Sequence, residues 1–171
     1  LLTVKYNPNH PDAYYQLGII MWEQGLHDYT IQEFQRAVEL KPDYADAHYY
    51  LGLALVEQGR RDDGIVEFRR AIELKPTYVE ALYQLGTALI EKGEYDEAIR
   101  ELRKAVAHMP EYAESHSGLG CALMKKGLLR QAIVEYSLAI QYKPEYAQAH
   151  FGLGNALMEK GDYNGASQAF Q

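Results

Sequence analysis

Three histidines, His48, His116 and His150, stand in one phase of a 34-residue step, and imidazole is the side chain most often used to hold a transition metal. Zinc needs its ligand atoms within about 2 Å of one centre. Side chains related by one step of a helical stack stand about 8–10 Å apart. The column therefore reads as packing histidines, and neither a metal nor another cofactor is expected. The rest of the chemistry-bearing residues are equally dispersed. Cys121 is the single cysteine, so no internal disulfide forms. No Cys-x-x-Cys, His-Glu-x-x-His, Gly-x-Ser-x-Gly or phosphate-cradling glycine loop occurs. The abundant carboxylates sit beside bases, as in "GEYDEAIRELRK", where Glu97, Arg100, Glu101 and Lys104 are spaced for solvated pairs on one helix face. No catalytic residue is expected, and the chain is read as non-enzymatic.

Composition narrows the partner. Seventeen basic against 24 acidic residues leave a net charge of −7, which argues against nucleic acid, because phosphate binding draws on clustered Lys and Arg. No apolar run approaches the ~18 residues of a bilayer span, so membrane insertion is not expected and a cytoplasmic location is. The chain starts at Leu1 without a charged-then-apolar leader.

The elements that hold these residues follow from the period. Proline recurs at Pro8, Pro42, Pro76, Pro110 and Pro144. Leu17, Leu51, Leu85, Leu119 and Leu153 keep the same step, as do the glycines that follow each of them and Gly25, Gly59, Gly93, Gly127 and Gly161. A fixed period of this size marks stacked repeats. Within one period, His48, Leu51, Gly52 and Leu55 share a helical face for the core and leave Asp46, Tyr49, Leu53 and Glu57 on another. Gly59 ends that helix, and the polar stretch through Asp63 starts a second, which buries Ile65, Phe68, Ala71 and Ile72 and stops at Pro76. The unit is a helical hairpin that cannot bury its apolar face alone, so the fold is all-α, an α-solenoid of stacked antiparallel helix pairs. Gly52 and its equivalents, with the alanine columns, are expected to bring paired backbones close.

The pattern of Leu-Gly, a large apolar residue three on, then a small residue, an aromatic and a proline resembles the tetratricopeptide repeat. Leu85 to Pro110, "LGTALIEKGEYDEAIRELRKAVAHMP", carries it well, with Ala98 and Ala105 in the small slots. The departures are Tyr14, His48, Leu82, His116 and His150 where the family commonly has tryptophan, Thr30 and Gly64 in a slot usually alanine, and Leu102 for the aromatic. The register divides the chain into residues 1–10, the tail of a preceding second helix, repeats at 11–44, 45–78, 79–112 and 113–146, and an incomplete fifth at 147–171. It reads as one continuous domain cut from a longer chain, whose end faces further repeats or a partner would cover.

The resemblance implies a curved superhelix whose first helices line a concave groove for a partner's segment. That face offers Tyr15, Gln16, Ile19 and Trp22, then Tyr49, Tyr50 and Leu53, then Tyr83, Gln84 and Thr87, then Ser117, Gly118 and Cys121, then Phe151, Gly152 and Asn155. The groove is aromatic in its first three repeats and small in the last two. Two carboxylate columns, Asp12, Asp46, Glu80 and Glu114 and then Glu23, Glu57 and Glu91, form an acidic rim that would steer a basic or neutral segment with apolar anchors. The family's chaperone adaptors use a Lys and Asn clamp for acidic tails; Tyr15 with Ile19, Tyr50 and Gln84 stand there instead, so no such clamp is expected. The leading reading is a protein-interaction module or scaffold, such as an assembly factor, whose partner is a protein or peptide. A substrate-docking arm of an enzyme and single-stranded nucleic-acid binding through tyrosine stacking are the alternatives. Tyr44, Tyr78, Tyr112 and Tyr146, two residues past each proline, are read as scaffold at the junctions between hairpins.

Overall fold

The computed structural model describes residues 9–170. The expected helix tail at 1–10 lies outside these residues except for Asn9 and His10, as does Gln171. Ten helices follow one another with no strand among the described residues: α1 Pro11–Glu23, α2 His27–Leu40, α3 Ala45–Glu57, α4 Arg61–Leu74, α5 Val79–Lys92, α6 Tyr95–His108, α7 Ala113–Lys125, α8 Leu129–Tyr142, α9 Ala147–Lys160 and α10 Tyr163–Ala169. Odd-numbered helices are the first members of each hairpin and even-numbered helices the second, as the periodicity requires.

Turn chemistry fixes the hairpins. Gly25, Gly59, Gly93, Gly127 and Gly161 all adopt positive φ, between 72° and 87°, the left-handed region in which only glycine is unstrained. The next residue's N–H then reaches back to a carbonyl five residues earlier, Arg60 to Leu55 at 2.9 Å and Leu128 to Leu123 at 2.9 Å. This satisfies a carbonyl that the helix end leaves without an intrahelical donor.

The chain divides into two compact units, one ending at Ala81 and one beginning at Leu82, so the division falls inside α5 and not at a repeat boundary. In the first unit α1 packs on α2, α2 on α3 and α3 on α4. Phe34 and Phe68, both fully buried, anchor it with Ile31, Leu51, Ala54 and Leu55. In the second unit α6 to α10 pack in sequence and α7 also touches α9, so consecutive first helices are neighbours. Leu102, Leu119, Leu123 and Tyr136 are buried there.

The glycine after each repeated leucine makes the hairpins close: at Gly52 the expected backbone approach is present, a Cβ there standing 3.2 Å from the Gly64 carbonyl oxygen, and large side chains also fill the space. A Cβ on Gly18 would stand 2.6 Å from the Phe34 ring, on Gly52 2.6 Å from Phe68, and on Gly86 2.5 Å from Leu102. Each glycine is a socket for the large side chain of its partner helix. The alanine columns at Ala37, Ala71, Ala105 and Ala139 are fully buried. The Thr30 hydroxyl in the family's small slot donates to the Leu26 carbonyl at 3.0 Å, which lets a polar residue stand in the core. No helix among the described residues is long and apolar enough to cross a membrane.

Candidate functional site

On α1, Asp12, Gln16, Ile19 and Glu23 are spaced 4, 3 and 4 residues apart, and on α3 Asp46, Tyr50, Leu53 and Glu57 repeat that spacing. Steps of three and four keep side chains on one face. Each first helix of this unit therefore carries a stripe that begins and ends in a carboxylate, with Tyr15 and Tyr49 beside it. Asp12, Gln16, Glu23 and Glu57 are exposed, and Tyr15, Ile19, Trp22, Tyr49, Tyr50 and Leu53 are half-buried.

The half-buried rings form a continuous cluster and not separate anchors. Tyr15 lies 6.0 Å from Phe34, 5.8 Å from Tyr50 and 5.0 Å from Tyr44, while Tyr50 stacks on Phe34 at 5.7 Å. Tyr49 continues the cluster to Tyr50 at 5.1 Å, Phe68 at 6.1 Å and Tyr78 at 5.0 Å. Tilted and edge-on rings at these separations favour one another beyond their burial. Burial, with Tyr50 and Asp46 close by, pushes the Tyr15 hydroxyl up to about 12. The post-proline tyrosines are joinery: Tyr78 is buried, and Lys41 and Lys75 lie 4.5 and 4.2 Å over the Tyr44 and Tyr78 rings.

This joinery also engages part of the expected acidic rim. Asp12 lies by the Tyr44 hydroxyl and Asp46 by the Tyr78 hydroxyl, and both phenols are held above their ordinary value, chiefly by burial. In the second unit Lys143 Nζ donates to Glu114 at 2.7 Å. Asp12 and Asp46 thus face the start of the next hairpin, and Glu114 pairs within its own. Glu23, Glu57, Glu80 and Glu91 are exposed.

In the second unit the small residues are packing features. Gly152 is buried and a Cβ there would meet the Tyr136 ring at 2.3 Å; one on Gly118 would meet Leu102 at 3.0 Å and Tyr83 at 3.4 Å. Ser117 is 2% exposed, beside the Tyr146 hydroxyl. Ser117 and Gly152 therefore present no side chain to a ligand, which corrects the expected groove at those two positions. Thr87 Oγ1 donates to the Tyr83 carbonyl of its own helix at 3.1 Å, Gln84 and Asn155 are half-buried, and Phe151 is 62% exposed. Half-buried Cys121 lies by the Tyr136 hydroxyl, and burial pushes its thiol up, away from the reactive thiolate.

The histidines make a clamp that the sequence reading did not pair with its carboxylates. His48 Nδ1 lies 2.6 Å from Glu67 Oε2, and its Nε2 lies 3.1 Å from the Pro42 carbonyl. His116 repeats this with Glu135 at 2.7 Å and the Pro110 carbonyl at 2.8 Å, under the stacked ring of Tyr142. The recurrent signal was present: a glutamate 19 residues past the histidine in both repeats, replaced by Ala169 for His150, which keeps only the Pro144 carbonyl at 2.7 Å. Both partners of His116 are acceptors, and an imidazole donates to two acceptors only when both nitrogens carry protons. The Glu135 hydrogen bond accordingly raises the His116 pKa against the opposing effect of burial. Ser115 and Ser117 flank His116 in sequence, yet neither hydroxyl is bonded to its ring, so no nucleophile–base pair is formed. Among the described residues no three His, Cys, Asp or Glu side chains converge as a metal site.

Family comparison agrees with this geometry. Models described as tetratricopeptide repeat match residues 11–44, 55–120 and 89–139, and a further TPR repeat model matches 30–59 and 122–161. The chain belongs to the tetratricopeptide repeat family. As a tetratricopeptide chain it is a helical-repeat scaffold for protein–protein interaction. Curated protein sequences give no significant match. Among solved structures it is similar to MamA residues 41 to the end from Desulfovibrio magneticus RS-1, at 22% identity and a TM-score of 0.86 over 94% of this chain and 90% of that one. A second MamA crystal structure is 27% identical, with a TM-score of 0.84 over 94% of this chain and 87% of that one. YrrB, described as a TPR protein with an unusual peptide-binding site, is 20% identical with a TM-score of 0.81, over 97% of this chain and 86% of that one. The likenesses below 25% identity carry the fold alone.

Proposed function

We propose that this tetratricopeptide chain binds an extended segment of a partner protein on the exposed faces of its first helices. The observation that carries the reading is the pair of stripes on α1 and α3, where half-buried Ile19, Tyr50 and Leu53 stand beside exposed Gln16, Glu23 and Glu57. Such a surface offers apolar area without the entropy loss of ordering flexible side chains, since the tyrosine rings are already held by their neighbours. On the second helices two arginines are engaged within their own helix, Arg36 with Glu39 at 2.9 Å and Arg70 with Glu73 at 2.9 Å. YrrB's described peptide-binding site lends the reading support by analogy of fold.

Peptides selected from a random display library against the chain provide the test. Replacing Tyr49 and Tyr50 together by alanine should weaken selected peptides about tenfold or more, while Val66→Arg on the outer face of α4 should not. Loss of binding in the Val66 variant with retention in the tyrosine variant would refute the assignment. Urea midpoints of both variants guard against simple unfolding.

A further inference from the structure

Of the three histidine clamps only two are complete. His48 and His116 each meet a proline carbonyl through Nε2 and a glutamate of the second helix through Nδ1, the latter at 2.6 and 2.7 Å. His150 makes the same Nε2 contact, 2.7 Å from the Pro144 carbonyl, so its ring keeps the same anchorage. The residue in the place of the glutamate is Ala169, and Nδ1 has no partner among the described residues. His150 and Ala169 share the wall of an open cavity of about 590 Å³ with Pro144, Phe151 and Phe170. A space of that size lies within the range of ligand pockets.

We propose that this cavity takes a carboxylate carried on an apolar body, which completes the third clamp from a ligand instead of from the chain. The two complete clamps show which group answers Nδ1 in this setting, and in both it is a carboxylate. With Nε2 directed at the Pro144 carbonyl, a carboxylate at Nδ1 shares one proton with the ring, and a charge-assisted bond of this kind is roughly twice as strong as a neutral one. Glu145 at the cavity wall does not forbid a second carboxylate, since Asp43 and Glu111 hold the same place beside the complete clamps. The rings of Phe151 and Phe170 are exposed and stand 6.0 Å apart, which gives the apolar body its contact surface. The site is built from α9, α10 and the turn before α9, and it does not depend on the stripes of α1 and α3.

Two carboxylates of this class test it against their amides: phenylacetate against phenylacetamide, and a capped peptide with a glutamate between leucines against the same peptide with glutamine. Each is titrated into the chain while the NMR signals of the histidine rings are followed. At least one acid should bind about tenfold tighter than its amide, moving the His150 ring signals and leaving those of His48 in place. The pair that shows the larger preference tells whether the carboxylate comes from a free acid or from a partner's side chain. His150→Phe should erase the preference. Ala169→Glu supplies the missing group from within, so it should give the His150 ring the signature of His116 and weaken the acids about tenfold. Equal affinity of acid and amide in both pairs, a preference that survives His150→Phe, undiminished binding to the Ala169→Glu variant, or a His150 ring that no compound moves overturns the inference. A His150 ring left unchanged by Ala169→Glu does so too, because the precedent of the complete clamps then fails. The comparison of acid with amide needs no variant, so it remains decisive if either variant unfolds.

Discussion

Replacing Ser115 by alanine should make the chain more stable. Ser115 is 0% exposed and its Oγ has no hydrogen-bond partner. Three of the equivalent positions in other repeats, Ala47, Ala81 and Ala149, are fully buried alanines, so a bare methyl fits this slot. A buried hydroxyl left unsatisfied costs about 1–3 kcal/mol, and serine is a poorer helix former than alanine by roughly half a kcal/mol. Against this stands the small void left by one oxygen, whose lost contacts are worth tenths of a kcal/mol. The net expectation is a gain of about 1.5 kcal/mol, which in a chain of this size raises the melting temperature by roughly 3–6 °C. The assay is urea unfolding followed by far-ultraviolet circular dichroism, with the slope checked for constancy so that the midpoint alone reports stability. The reverse change, Ala47→Ser, should lose a similar amount, because it places the same orphan in an otherwise identical slot. A Ser115→Ala midpoint at or below that of the parent would refute the reasoning.

The histidine clamp makes stability pH-dependent in a defined direction: the His116 pKa is raised on folding, so its contribution is complete below the unfolded value of about 6.5 and is lost as pH rises through the folded value. Glu135→Gln should flatten this decline in the urea midpoint above about pH 6.5, and an unchanged slope would show that the carboxylate does not hold the proton. Gly152→Ala should destabilise by about 1–3 kcal/mol, because the new Cβ would stand 2.3 Å from Tyr136. Shortening that ring in Tyr136→Leu should reduce the penalty of the added methyl, because in the equivalent place one repeat earlier Leu102 would stand 3.0 Å from a Cβ on Gly118; equal penalties in both backgrounds would rule out the ring as its cause.

Much of the architecture was legible because it depends on local chemistry that recurs. A left-handed residue at each hairpin turn demands glycine, a helix stop tolerates proline, and both were written at a fixed step, so helix pairing and order followed without any contact being known. The site was only partly legible. Periodicity places Ser117 and Gly152 on the first-helix face, but whether a face residue meets solvent depends on the volume of side chains from other helices; Tyr136 fills the space at Gly152. Likewise, a column of carboxylates looks free in one dimension, and only the fold shows Asp12 and Asp46 lying against the hydroxyls of Tyr44 and Tyr78, and Glu114 holding Lys143. The pairing of His48 with Glu67 and of His116 with Glu135 belongs between these cases. Its spacing was in the sequence, but the hydrogen bond needs side chains of two helices brought within 3 Å of each other by packing. Sequence alone thus determined the repeat, its turns and the chemical character of each face, since those are properties of single helices. Tertiary structure decided which of the polar groups remain available to a partner, since that depends on what the neighbouring hairpin has already engaged.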